Sequence, residues 1–296
     1  MVSLKKLNLY ATILHYSLAI GLIIYFIYMN NKYPNEPVKG VELSLRDHVV
    51  KIKTKKCDSP YIGCDSNGNI ITSEWSSDKT YNVNIKVIQS MLILFFLITG
   101  SFHLFYYLTS DGAYNKAISN QNNYYRWIEY SITSTLMLYI IALISGVKDT
   151  NIYIMLFSTN IAMIYTGQLV EEYKRDSPNT NKWVLPMVIG FIMLIVEFFV
   201  IIRDFNNRIN QVSTSLEENK ISDSNSKTIP SWIKYTIYIL FLFFSCFGFI
   251  SLIGAYNNIT YDSIEKAYII ASFAAKATLA MFIAYGTSQR QKASEK

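Results

Sequence analysis

The chain has 296 residues, of which 51% are hydrophobic and only 16% charged, with a formal net charge of +6. Average soluble domains carry about 25% charged residues; here the mean hydropathy is +0.20 and charge is collected between long apolar blocks, which excludes an ordinary soluble domain and describes an integral membrane protein. The positive charge is spread over several loops without a basic aromatic patch, so it points to the lipid bilayer and its anionic head groups, not to nucleic acid.

Seven blocks approach the roughly 20 apolar residues that cross a bilayer: 7–29, 83–108, 124–146, 151–170, 183–202, 232–256 and 263–285. The expected fold class is an all-α membrane protein, a seven-helix bundle formed by one domain, 1–296. Lys5 and Lys6 before the first block imitate a signal peptide. Its apolar stretch is too long and no small-residue cleavage site follows, so a retained first helix is expected, with His15 inside it.

The connector 30–82 holds eight Lys/Arg and seven Asp/Glu and is nearly neutral. "HVVKIKTKK" (48–56) alternates polar and apolar residues, the period of a half-buried strand, and Asn67-Gly68 is a two-residue hairpin signal. A small β-hairpin-containing loop is expected to cap one membrane face. Cys57 and Cys64 flank "DSPYIG" in this loop. They form a short disulfide if it faces an oxidising compartment, and otherwise two free thiols.

The second block contains His103. The third opens with "YYRWIEYSITSTLML" (124–138), where Arg126 and Glu129 are three apart and share a helix face, with Thr133 one turn further. The fourth ends on Glu171 and Glu172. In the fifth, "MLIVEFFV" (193–200) places Glu197 among apolar residues, either as a relay site or as an interface-level acid that is protonated or paired with Arg203. The polar run 206–231, including "EENKISDSNSK", is expected to be a flexible loop. The remaining connections are short and favour neighbouring antiparallel helices. Cys246 in the sixth block is assigned to packing, and Trp127, Trp183 and Trp232 near helix starts suit an interfacial belt.

The seventh block, "IIASFAAKATLAMFIAY" (269–285), carries one charge, Lys276. A central lysine costs about 2.5–3.5 kcal/mol on insertion scales, so it needs a partner or a use. One use is a structural ion pair with Glu129. The other is chemical: a buried amine that gives up its proton condenses with an aldehyde to a Schiff base. Ser272, Phe273, Leu279 and Ala280 flank Lys276 at helical spacing, and Ala274, Ala275 and Ala277 leave room for an elongated apolar ligand. Charge counts of the short loops lean towards an outside N-terminus, whereas the paired cysteines lean the other way.

Seven helices, a lysine midway along the seventh and an R-x-x-[acid] motif opening the third resemble the microbial rhodopsins, which bind retinal through a protonated Schiff base with the third-helix acid as counterion. The closer resemblance is to the heliorhodopsins. "RWIEYSITSTLML" and "SFAAKATLAM" are similar to that family's third- and seventh-helix signatures. So are the glutamate counterion, the histidines of helices 1 and 2 and the long loop after helix 1. The resemblance covers nearly the whole chain. It implies all-trans retinal covalently bound to Lys276 in the dark, with Glu129 as counterion. Ser272 stands where pumping relatives have a second aspartate, and Ile140 where they have a proton donor, which argues against a conventional pump.

The resemblance further implies that Met137, Met163, Gly167 and Phe247 lie along the retinal pocket, and Thr133, on the face of Arg126 and Glu129, is grouped with them. His15 and His103 match a polar cluster that takes up the Schiff-base proton, and Glu171 matches an inner polar network, with Arg126 beside Glu129. It implies a cytoplasmic N-terminus, an outside C-terminus and a homodimer. The expected function is light sensing, with regulatory output through a downstream signalling protein; no enzymatic residue or metal site is assigned. The alternatives are a light-gated proton channel with Glu197 as relay, and a seven-helix transporter without chromophore.

Overall fold

The structure is a computed structural model and describes residues 3–32, 41–45, 49–56, 69–76, 79–218, 231–256 and 259–294. Its elements in chain order are α1 (Leu4–Lys32), β1 (Val41–Leu45), β2 (Val49–Lys56), β3 (Asn69–Ser76), β4 (Lys79–Val83), α2 (Ile85–Leu108), α3 (Ala113–Ser119), α4 (Tyr124–Ser145), α5 (Thr150–Asp176), α6 (Val184–Glu218), α7 (Ser231–Tyr256) and α8 (Tyr261–Ser294). All helices except α3 are long and apolar enough to cross a membrane, which makes seven spans among the described residues. In hydrocarbon no water satisfies backbone N–H and C=O groups, so each span closes its hydrogen bonds within a helix.

Side chains and a glycine set the helix ends. Asn84 accepts from Lys86 N at the start of α2, and Asp149 accepts from Asn151 N at the start of α5. Helix α4 begins on Asn123, whose Oδ1 accepts from Arg126 N. It ends on Gly146 at φ 85°, a left-handed cap that glycine adopts without a Cβ penalty. A Cβ there would also lie 2.5 Å from Arg208 Nε.

Helix α4 has the most deeply buried span and packs against α2, α5 and α6; α8 packs on α7 and α1, and α1 on α2. The core between them is built from Phe95, Phe96, Leu138, Ile140, Ile141, Phe198, Ile201, Leu240 and Leu279. Outward faces carry Ile20, Ile24, Leu185, Phe199 and Met281, the side chains a lipid-facing surface requires. Between α1 and α2, β1 pairs antiparallel with β4 from Val41↔Val83 to Leu45↔Lys79, and β2 with β3 from Val49↔Ser76 to Lys56↔Asn69. The expected Asn67-Gly68 turn and the Cys57 and Cys64 pair lie outside the described residues.

Three expectations change. The segment 206–231 is not loop throughout: α6 runs on to Glu218, because Phe205 and Ile209 still pack against the core and Asn206 bonds Tyr238. The rest of that segment up to Ser231 lies outside the described residues. Trp127 and Trp183 are buried, not part of an exposed interfacial belt. The Trp127 ring is turned inward by a hydrogen bond to Glu171, and Trp183 packs with Val170, Met187 and Ala255. Helix α3 was not foreseen; its Tyr114 stacks on Tyr106 at 4.8 Å, which docks it on α2.

Candidate functional site

Two largely polar stripes face each other across the bundle. On α4 the stripe comprises Arg126, Glu129 and Thr133 and ends on the apolar Met137; on α8 it comprises Glu265, Tyr268, Ser272 and Lys276. Both follow the same 3-4-4 spacing, which keeps four side chains on one helical face, and all eight are buried. Because α4 and α8 each pack mainly on other helices, long side chains bridge the interior between them.

The bridge at Lys276 is direct. Its Nζ donates to Glu129 Oε1 at 3.2 Å and to Ser272 Oγ at 2.7 Å. Helix side chains lean towards the N-terminus, so the lysine stem reaches back one turn to Ser272 and brings the amine level with Glu129. The Tyr130 ring centre is 5.7 Å away.

Lys276 also lines an apolar cavity built chiefly by α4, α5, α6 and α7. Lys276, Ser272, Thr133, Met137, Met163, Gly167 and Phe247 all line it, so the structure brings together seven of the eight residues expected around the ligand. Glu129 stands behind the lining, on the amine. Residues not foreseen in the wall include Trp127, Leu194 and Phe244. Gly167 is small for a reason: a Cβ there would meet the Trp127 ring at 2.7 Å. The Thr133 hydroxyl is buried in the wall and has no hydrogen-bond partner among the described residues.

One or two turns towards the start of α4, Arg126 lies between two carboxylates, Glu171 and Glu265, and pairs with both. Glu171 also accepts from Trp127 Nε1 at 3.0 Å and from Tyr261 Oη at 3.0 Å, while Glu265 accepts from Asn123 Nδ2 at 3.1 Å. The guanidinium carbon is 4.2 Å from the Tyr268 ring centre and 4.6 Å from that of Trp127, which adds cation–π attraction. Glu265 escaped the sequence reading; its one signal is its place three turns before Lys276 on the same face. Glu172, one residue on, instead accepts from Gln168.

On the α1–α2 side, His15 and His103 are buried with ring centres 5.3 Å apart. His15 also packs edge-on against Phe273 at 5.4 Å. Glu197 is apart from these groups. It is 1% exposed, neither carboxyl oxygen has a hydrogen-bond partner among the described residues, and Arg203 pairs with Asp204 instead. The suggested Glu197–Arg203 pair therefore does not form, because Arg203 points its guanidinium to its chain neighbour.

The family model for heliorhodopsin matches residues 4–288. The crystal structure of Exiguobacterium sibiricum rhodopsin is similar with a TM-score of 0.56 and 12% identity, over 97% of this chain and 96% of that one. At that identity the likeness is one of fold alone. No curated protein matches the sequence.

Proposed function

The chain belongs to the heliorhodopsin family, and from that premise we propose that it is a light-sensing photoreceptor with regulatory output whose retinal is bound through Lys276. The observation that carries this is Lys276, its amine held by Glu129 and Ser272, in the wall of an apolar cavity. The residues fit such a group. The walls are apolar apart from a few hydroxyls and the amine, Gly167 leaves space beside Trp127, and Thr133 carries an unbonded hydroxyl into the wall.

Retinal held by Lys276 would supply visible-light absorption and a change of shape on illumination. The protein's own groups do the rest. Glu129 provides the negative charge that a cation in a low dielectric requires. Ser272 orients the lysine nitrogen. Met137, Met163, Leu194, Phe244 and Phe247 exclude water along the cavity. His15 and His103 serve as proton acceptors on the α1–α2 side. Arg126, clamped by Glu171 and Glu265, holds the first turn of α4 and so the height of Glu129. Ile140 and Ser272 at the places of pump acids support a sensory output over outward pumping. The family also supports a cytoplasmic N-terminus, a homodimer and a downstream signalling partner as part of the same proposal.

The test is an absorption spectrum of the protein expressed with all-trans retinal, beside Lys276→Ala. A visible band in the wild type and none in the variant is expected; a band that survives in Lys276→Ala removes the attachment. A second function is favoured by one observation, the partnerless carboxyl of Glu197 deep in α6: light-gated proton conduction. Voltage-clamped photocurrents abolished by Glu197→Gln would support conduction, and silence in the wild type would leave sensing.

A further inference from the structure

We propose that Asn8 is a positioning residue that selects which ring nitrogen of His103 is free to accept a proton. The inference rests on the histidine role in the proposed function and names the residue that makes one of those histidines competent for it.

The two histidines are held differently. His15 Nδ1 lies 2.7 Å from the carbonyl oxygen of Ala11, one turn earlier on α1. A carbonyl only accepts, so the proton of a neutral His15 sits on Nδ1 and Nε2 keeps its lone pair. His103, on α2, has no backbone carbonyl in that place. Its Nδ1 lies 2.8 Å from Oδ1 of Asn8, which again accepts and again places the ring proton on Nδ1. Asn8 is fully buried and comes from the neighbouring helix, 95 positions away in sequence.

The surroundings leave the choice to Asn8. His103 packs edge-on to Tyr106 at 5.8 Å and beside the His15 ring; Phe96 and Phe273 cover His15. Neither the Tyr114 hydroxyl of α3 nor Nδ2 of Asn8 has a hydrogen-bond partner among the described residues. Among the described residues, Nε2 of His15 and Nε2 of His103 are both buried with no hydrogen-bond partner. The outcome is a pair of adjacent imidazoles with bare Nε2 atoms, His15 packed against Phe273 of α8, the arrangement a proton acceptor needs. For His15 the helix backbone enforces it, and for His103 one amide oxygen does.

The experiment reads tautomers directly. Protein carrying 15N-histidine and retinal is examined in the dark by solid-state NMR, with His103→Gln identifying the His103 signals by their loss. In the wild type, both His15 and His103 should show a protonated Nδ1 and a bare Nε2. Asn8→Leu should move the His103 proton to Nε2, wholly or as a mixture, and leave His15 unchanged. Asn8→Asp, whose carboxylate also accepts, should retain the wild-type pattern. A wild-type His103 protonated on Nε2, or an unchanged His103 in Asn8→Leu, would overturn the proposal. Should Asn8→Leu not fold, the wild type and Asn8→Asp decide: a proton on Nε2 in either one sinks it. These spectra need no light, so they stand apart from the histidine role itself. That role fails separately if His103→Gln leaves flash-induced proton uptake unchanged.

Discussion

Lys276 Nζ and Glu129 Oε1 lie 3.2 Å apart across the bundle although 147 positions separate the residues. Removing one partner of a buried pair leaves an uncompensated charge, which is far costlier than replacing both. The pair thus binds α4 to α8, which otherwise pack on different neighbours, and places an anion where a cationic linkage on Lys276 would need it. Its structural role and the proposed photochemical one coincide at one contact.

Glu129→Gln keeps the shape and removes the charge. With retinal bound, its visible band should move to longer wavelength or give way near neutral pH to a near-ultraviolet form. Spectra across a pH series test this, and an unchanged band would exclude Glu129 as counterion.

Arg126 serves two buried carboxylates, so its loss should hurt more than the loss of either acid. Arg126→Ala leaves Glu171 and Glu265 uncompensated and should cost about 3–5 kcal/mol. Glu265→Gln should cost less, because Glu171 still pairs with Arg126 and the new amide can still meet Asn123. The order of thermal bleaching midpoints checks this: wild type, then Glu265→Gln, then Arg126→Ala. An Arg126→Ala protein as stable as wild type would show that the cluster does not hold α4.

Gly167→Ala pushes a methyl group into the Trp127 ring at 2.7 Å. Overpacking of this kind costs about 1–3 kcal/mol. Since Trp127 also lines the cavity and bonds Glu171, pigment yield should fall and the band should shift. Equal yield and an identical band would mean that the ring moves aside freely.

Glu197 has a buried carboxyl without a partner among the described residues, a condition that costs about 1–3 kcal/mol. Glu197→Leu should therefore raise the thermal bleaching midpoint, as expected where stability has been given up for function. A lowered midpoint would reveal a stabilising contact of the carboxyl.

Much of the architecture was legible beforehand. The seven apolar blocks became seven spans, and the spacing of Arg126, Glu129 and Thr133 already described one face. What could not be read were contacts between helices. Nothing in the sequence joins Glu265, Asn123 and Tyr261, yet Glu265 pairs with Arg126, Asn123 donates to Glu265 and Tyr261 donates to Glu171. Asn8 gave no hint of His103. Trp127 suggested an interface until its indole N–H was placed on Glu171. The apolar count also ended α6 too early, because a helix whose one face still packs continues past its hydrophobic stretch.

By itself the sequence determined which segments cross the membrane, since hydrocarbon admits only apolar helices with closed backbone hydrogen bonds. It also determined that a lysine lies in the middle of the last one. Tertiary structure alone decided which charges meet. Pairing depends on the rotation, depth and neighbours of each helix, and helical periodicity constrains the face of a residue but not what stands opposite it.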